Sequence, residues 1–472
     1  MISKTLNLQF EKKSSNSIGN ITVLVVLLLT FLSKNPIESF ASIFLLYSII
    51  HLFWKRNLPF VLCFCLVYQW IEIFTSILEA NYFNQDLNTT FPETGRLAAW
   101  ISMGGLFSIM VGLYLSVKKW QYKTIHVHLL SSARKLNIRL LYILYGLCVG
   151  ANILIIGLSY LFPSIAQIFV HIINIKTIIY LVISYAFFVN KSYSRLYICI
   201  TLFEFIMGLY SYFSSFKLVF IVLLISYATS VQRITFKQVL TLVPSFLIVF
   251  YILFTWQVVK VDYRSYLNKG DRQQNINVSF QEALSNLYNL AKNSTSKDYA
   301  GSIKATFRRL GYLEYSSLTL KRVPDILPYE NGKLLLENLN FVFIPRFINP
   351  EKGIKDDSKK TSKYTGREFA TSLEGSSFSL GYYTEFFIDF GIPGMFIPLL
   401  LFAFLVGKIF NRVMRLPYNL LLRYSIATVV LLPFSAFESD SIYLFGILFW
   451  GGLTHIFVFK ILYRRIDKFI AK

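Results

Sequence analysis

TLVPSFLIVFYILFTWQVVKVDYR, residues 241–264, is where this chain changes character. Residues 239–256 are apolar over a length that, at about 1.5 Å per residue, nearly matches a hydrocarbon core of about 30 Å. From Gln257 the run gives way to lysine, arginine, tyrosine and carboxylate, and no comparable apolar stretch returns until residue 383. Backbone polar groups cannot go unpaired in lipid, so residues 257–382 must fold outside the bilayer or line a wet cavity at its face. That insert is the expected place for chemistry.

Outward from this boundary, apolar segments fill both ends of the chain. Of the 472 residues 55% are hydrophobic and 15% charged, and the mean hydropathy is +0.53, far from an ordinary soluble domain. Apolar runs near 18–33, 38–54, 58–79, 96–116, 137–161, 167–189, 196–213, 215–230, 239–256, 383–410, 418–437 and 441–462 predict about twelve transmembrane helices. The expected fold class is therefore an all-α polytopic membrane protein. Its units are a bundle of nine helices in 1–256, one large extracytoplasmic loop in 257–382, and three more helices in 383–472. The formal charge of +22 sits in short clusters between apolar runs, so membrane topology explains it and a nucleic-acid partner is not expected. With the N-terminus cytoplasmic, Lys55, Arg56, Lys118, Lys119, Lys191, Arg195, Arg233, Lys237, Arg412 and Arg415 all fall in inside loops. Outside loops carry Asp86, Glu93 and the tripeptide Glu438-Ser-Asp440. Both termini then lie inside.

The four cysteines fall in predicted spans and read as buried small hydrophobes; Met1–Asn20 leads into a retained first helix with no small-residue cleavage site before Lys34. Within the insert, 19 Lys and Arg face 13 Asp and Glu, a basic bias that topology does not demand of a long loop. Ser279-Phe-Gln-Glu282 is a capping box opening a helix over 280–291. Further helices are expected over 302–312 and 333–343, with a mobile lysine-rich loop at 352–363.

No phosphate-binding glycine loop, no HExxH and no cysteine–histidine metal spacing occurs, and Asp389-Phe-Gly391 stands without the rest of a kinase signature, so neither metal nor cofactor is expected. The insert contains no histidine; His171 sits in a span and reads as a packed helix residue. Arginine remains. A guanidinium is always charged and its planar fork suits phosphate oxygens bidentately, so arginines clustered at a membrane surface suit a lipid-linked pyrophosphate. Lys260, Arg264, Arg308, Arg309, Arg322, Arg346 and Arg367 are the candidates. The plain alternative for each is solvated charge, or pairing with Asp262, Glu314, Asp325 or Glu368.

Lys260-Val-Asp-Tyr-Arg264 closing a span, Arg308-Arg309 in mid-loop, Ile344-Pro-Arg346-Phe-Ile-Asn-Pro350 with Lys352, and Gly381-Tyr-Tyr-Thr-Glu385 leading to Phe390-Gly-Ile-Pro-Gly394 resemble the Wzy-type O-antigen polymerases, the oligosaccharide repeat-unit polymerases of bacterial envelopes. In motif terms the resemblance covers about 260–394, and residues 350–370 are richer in lysine and serine than its pattern. It implies a GT-C-like architecture in the bacterial inner membrane and a metal-independent glycosyltransferase. Its substrates would be undecaprenyl-pyrophosphate-linked glycans, with a chain-length regulator as a partner protein. In that reading Arg309, Arg346 and Glu385 are catalytic, the arginines steadying the departing pyrophosphate and Glu385 activating the acceptor hydroxyl; Lys260, Arg264, Arg308, Arg322 and Arg367 bind pyrophosphate or glycan. A helix N-terminal carboxylate held by the helix dipole is the other reading of Glu385. Two rivals stand beside the polymerase. An O-antigen ligase shares the donor but, by resemblance, uses a loop histidine that this chain lacks. A flippase or transporter would show internal repeats and more charge at span centres than Glu72 and Glu204 supply.

Overall fold

The computed structural model describes residues 30, 33–54, 59–118, 125–161, 166–190, 194–212, 215–231, 236–271, 276–344, 349, 352–353, 356–370 and 377–471. Among these the chain is helical, with no strand beyond one isolated bridge between Leu136 and Ala471. The first part comprises α1 (Pro36–Phe53), α2 (Phe60–Tyr82), the single turn α3 (Leu87–Thr90), α4 (Gly95–Val117), α5 (Ile125–Arg134), α6 (Ile138–Leu161), α7 (Ala166–Asn190), α8 (Ser194–Leu209), α9 (Lys217–Ser230) and α10 (Phe236–Leu267). The polar insert forms α11 (Phe280–Asn293), α12 (Ser296–Leu310), α13 (Leu313–Leu320), α14 (Lys333–Phe343) and α15 (Asp357–Thr365). The last part is α16 (Tyr382–Gly394), α17 (Phe396–Met414), α18 (Leu420–Leu431), α19 (Ser441–Leu453) and α20 (Lys460–Ile470).

Eight of the described helices are long and apolar enough to cross a membrane, and α9 and residues 420–435 form shorter apolar helices. The molecule is an all-helical membrane protein. The side chains agree: Leu154 on α6 and Phe246 on α10 are 71% and 68% exposed, which suits a lipid-facing surface and no aqueous one. The predicted first span, 18–33, lies outside the described residues except for Thr30 and Ser33. Inside the bundle, Glu204 is held by Lys176 at 2.8 Å and the Tyr145 hydroxyl at 2.5 Å, a charge neutralised where lipid would penalise it. His171 is buried, edge-on to His455 with ring centroids 5.5 Å apart.

Two helices depart from the expected boundaries. The helix predicted to end at 256 runs on to Leu267, because Trp256, Val259, Tyr263 and Leu267 extend an apolar stripe that packs with Phe216 and Ala283. Lys260 and Arg264 therefore stand on a rigid helix. The run 383–410 is broken instead of continuous: Gly391 takes φ +61° and ψ −167°, and with non-helical Ile392 it kinks the chain inside α16, ahead of α17. A Cβ at Gly391 would come within 2.8 Å of the Tyr329 ring, so glycine is needed there for both conformation and space.

The insert is ordered largely as its capping signals indicate. Ser279 and Glu282 exchange both capping-box bonds, and α14 spans the predicted 333–343. α12 starts six residues earlier than expected, at a second box formed by Thr295 and Asp298. The segment 352–363, expected to be a mobile loop, instead enters α15 at Asp357, a helix capped by Asp356 at one end and by left-handed Gly366 at the other. Its inward face carries hydroxyls in place of an apolar stripe: Thr361 donates to the Phe378 carbonyl at 2.7 Å, and Ser358 accepts from the Phe378 N–H at 3.0 Å. Packing clasps the insert to the bundle, α11 and α12 on α10, α12 also on α2, α13 on α4 and α14 on α19.

Candidate functional site

The functional geometry gathers around the turn between α18 and α19, residues 436–441. Phe437 donates its N–H to buried Glu72 of α2 at 2.7 Å, and its carbonyl accepts from Tyr382 at the start of α16. Gly381, at φ +80°, lets α16 approach this turn; a Cβ there would sit 2.6 Å from the Phe437 carbonyl oxygen. Gln69 completes the cradle, accepting from the Tyr382 and Tyr383 hydroxyls at 3.0 and 2.6 Å and donating to the Phe434 carbonyl at 2.6 Å. Every polar group that fixes the turn is thus paired, as burial requires.

On one side of the turn lies a concentration of positive charge. Arg309, in the last turn of α12, pairs with Glu438 at 2.8 Å and remains half exposed. Lys217, Lys260 and Arg264 each lie within electrostatic reach of Arg309, so three elements of the chain direct four cations at one place. Arg264 is fixed by the Tyr212 carbonyl at 3.0 Å and by the Tyr212 ring, and Lys260 by Gln257 at 2.9 Å. None of these anchors is a carboxylate. Among the described residues Glu438 is the one acid in salt-bridge contact with the four, with Tyr68, Tyr312 and Glu72 behind it. An unbalanced cluster of this kind, at the end of apolar helices, has the charge and donors to receive a polyanionic headgroup.

On the other side lies a buried ion cluster. Lys360 of α15 reaches down between Glu385, at 2.5 Å, and Asp440, with which it is in direct hydrogen-bond contact; Asp357 lies at 3.9 Å. The side chains of Lys360, Glu385 and Asp440 are 14%, 4% and 2% exposed. Glu385 also accepts from the Ser441 N–H at 3.2 Å, and Asp440 from the Ile442 N–H at 2.7 Å. Burial, then the charge of Asp440, push the Glu385 carboxyl up to about 8, and the same two causes raise Asp357 to about 7. Burial works against Asp440 too, but the Lys360 ammonium and hydrogen bonds hold it below its ordinary value. Burial likewise opposes the charge of Lys360, yet Glu385 and Asp440 raise it above the usual lysine range.

The structure therefore divides the predicted site residues. Lys260, Arg264 and Arg309 come together. Arg308 and Arg367 form a separate network: Arg308 bridges Glu79 at 2.7 Å, Glu314 at 2.9 Å and the Thr90 carbonyl at 3.0 Å, and Arg367 meets the same Glu314 at 2.6 Å. Glu79 is 1% exposed, so Arg308 fastens the insert to α2, and pairing with Glu314 is the outcome foreseen as the plain alternative. Arg322 stands apart, packed against Gly366. Glu385 belongs to the buried cluster, away from the pyrophosphate-type cations. Arg346 lies outside the described residues.

Sequence reasoning missed Lys217, Lys360, Glu438 and Asp440. The acids were in view as a short loop without positive charge, and the signal overlooked was two carboxylates in six residues between apolar helices, where an unpaired charge is costly. No protein-family model, no curated protein and no solved structure matches the chain.

Proposed function

We propose that this protein is a repeat-unit polymerase of surface polysaccharide synthesis, transferring a glycan from a polyprenyl pyrophosphate to the free end of a second lipid-linked unit. The observation that carries this reading is the cluster of Lys217, Lys260, Arg264 and Arg309, with Glu438 the one acid among the described residues in salt-bridge contact with it, where the membrane-length α10 and the shorter apolar α9 meet the polar insert. In the reaction the bond between the anomeric carbon and the pyrophosphate oxygen breaks, and the leaving pyrophosphate keeps the electron pair. An acceptor hydroxyl oxygen forms the new bond to that carbon, and its proton passes to a carboxylate. The cations stabilise the charge that develops on the leaving group, and Arg264 and Lys260, held by Tyr212 and Gln257, need little reorganisation.

For the carboxylate we assign Glu438 in preference to Glu385. Both Glu385 oxygens are occupied, one by Lys360 and one by the Ser441 N–H, whereas Glu438 faces the cations and is 26% exposed. The reading keeps twelve crossings, both termini in the cytoplasm and the insert outside an inner membrane. It also keeps a chain-length regulator as partner. Ligase activity receives no specific support from the cluster, which would serve either acceptor.

The test is Arg309→Ala against Arg309→Lys, scored by the ladder of surface glycan in cells and by extension of lipid-linked repeat units by purified protein. Removing one preorganised donor to a developing charge costs a factor of about 10²–10³ in rate. Alanine should abolish long chains at unchanged protein level, and lysine should restore little, since a point charge lacks the planar fork. Ordinary ladders from both Arg309→Ala and a Lys217→Ala/Lys260→Ala double variant would overturn the reading.

A further inference from the structure

A second, chemically different site lies on the opposite face of the end of α10. Asp262, Ser265 and Tyr266 share one face of α10, turned away from Lys260 and Arg264, and Lys269 and Gly270 in the turn that follows the helix line the same groove beside α11. Across from them α11 presents Gln281, Ser285, Asn286 and Asn289. Between the two helices run a cavity of about 600 Å³ and an adjoining one of about 360 Å³, which share Tyr266, Glu282 and Asn286. Both are open grooves on the surface and not enclosed pockets, a shape that suits an extended chain.

The lining selects a ligand class. Amides and hydroxyls dominate it, and Asp262 and Glu282 outnumber Lys269, so the groove offers nothing to a polyanion. Tyr266 is 38% exposed and its ring stacks on no other described ring, leaving an aromatic face open beside the polar groups. No described residue hydrogen-bonds the side chains of Ser265, Tyr266, Gln281, Ser285 or Asn289, and the Asn286 side-chain oxygen is shut away from water with no donor to meet it. A buried amide oxygen without a donor costs about 1–3 kcal/mol, and the cost falls if an incoming group reorients that amide. Alternating donors and acceptors around an aromatic face are complementary to a sugar ring, whose hydroxyls are both donors and acceptors and whose C–H face is apolar.

We propose that this groove binds an uncharged stretch of glycan, away from the pyrophosphate end. The site is continuous with the polar insert, and α10 carries it on the reverse of the helix that presents Lys260 and Arg264, so one rigid element holds a polyanion on one face and neutral sugars on the other. The identity of the glycan rests on the polymerase reading, but occupancy of the groove requires no turnover and is tested separately.

The experiment uses the full-length protein in lipid nanodiscs and saturation-transfer NMR, with linear neutral hexasaccharides of glucose and of mannose as probes and a hexuronate as control. A neutral probe should bind at millimolar concentration or tighter, and the hexuronate should not. Tyr266→Ala and Asn286→Ala should each weaken binding about tenfold, a loss typical of one stacking contact or one hydrogen bond. Tyr266→Phe, which keeps the ring, should bind like the parent, which separates loss of stacking from loss of fold. Arg309→Ala should bind the neutral probe unchanged, so failure of the groove and failure of the polymerase reading remain distinct results. Absence of binding by both neutral probes, preference for the hexuronate, or indifference to Tyr266→Ala and Asn286→Ala would overturn the proposal.

Discussion

Replacing Lys360 by methionine isolates the contribution of the buried ion cluster. The substitution keeps an unbranched stem of similar length and removes the ammonium, leaving Glu385 and Asp440, 4% and 2% exposed, without their shared counterion. Removing one partner of a buried pair usually costs about 3–5 kcal/mol. Here the low end applies, because Glu385 already sits near 8 and can relax by taking a proton, while Asp440 keeps the Ile442 N–H. A cost of about 3 kcal/mol raises the population of an open α15 on the order of a hundredfold, since about 1.36 kcal/mol corresponds to a factor of ten in an equilibrium constant. Amide hydrogen exchange followed by mass spectrometry reads that population directly in the peptide 357–365. At pH 8 the variant should lose about two decades of protection there, with α4 and α17 unchanged. The loss should shrink at pH 6, where protonation relieves the carboxylates. Adding Glu385→Gln to Lys360→Met should restore part of the protection, because it deletes one of the two stranded charges. Unaltered protection of 357–365 in Lys360→Met would refute the claim that this ion cluster fastens α15.

The same groups predict a pH trend. Glu385 and Asp357 have folded-state values of about 8 and about 7 against ordinary values of 4.5 and 3.8, so between about pH 5 and 8 the folded chain holds protons that the unfolded chain has released, and stability through these groups falls as pH rises. Asp440, held low, adds a contribution already complete above its ordinary value of 3.8, and Lys360, held high, one that persists until pH passes 10.5, so neither offsets the fall. Thermal unfolding in detergent should move to lower temperature from pH 6 to pH 8.5, and Glu385→Gln should flatten the trend; a parent midpoint that rises over this range contradicts it. Arg308→Ala, unlike Arg309→Ala, should reduce the amount of folded protein and open α12 to trypsin, because it strands Glu79 in a buried position at a cost of about 3 kcal/mol or more. Equal yields of the two alanine variants would remove the distinction between fastening and functional arginine.

How much of this was legible in the sequence depends on which physical signal a residue carries. Apolar length is additive along the chain, so the spans beginning at Pro36, Phe60, Gly95, Ile138 and Ala166 were readable to within a few residues. Local capping is also written locally, as in Ser279-Phe-Gln-Glu282. The break at Gly391 was not, because glycine and proline near a helix start also serve helix packing, and the Tyr329 ring that occupies the glycine's face comes from 62 residues upstream. α15 was invisible to hydropathy since it docks through Ser358, Lys360 and Thr361. For the site, residue type alone marked seven basic candidates, but only tertiary contacts could sort Arg308 from its neighbour Arg309. About 100° apart on one helix, they face Glu79 and Glu438 respectively, on α2 and on the turn before α19.

That turn explains why two unlike clusters lie side by side. Glu438 and Asp440 are separated by one residue, yet one faces the cations of α9, α10 and α12 while the other is sealed beneath α15. Glu72 holds the turn at Phe437, and Lys360, Glu385 and Asn338 hold it at Asp440 and Ser441, the last through a 2.8 Å bond to the Ser441 hydroxyl. A carboxylate fixed from both flanks cannot follow Arg309 if a polyanion draws that guanidinium away. Glu438 then stays where the departing arginine leaves it, a carboxylate released from its ion pair as the anion binds. In the proposed reaction the event that neutralises the pyrophosphate is therefore also the event that frees the base, and the cost of holding the turn still is carried by the buried ion cluster on its far side.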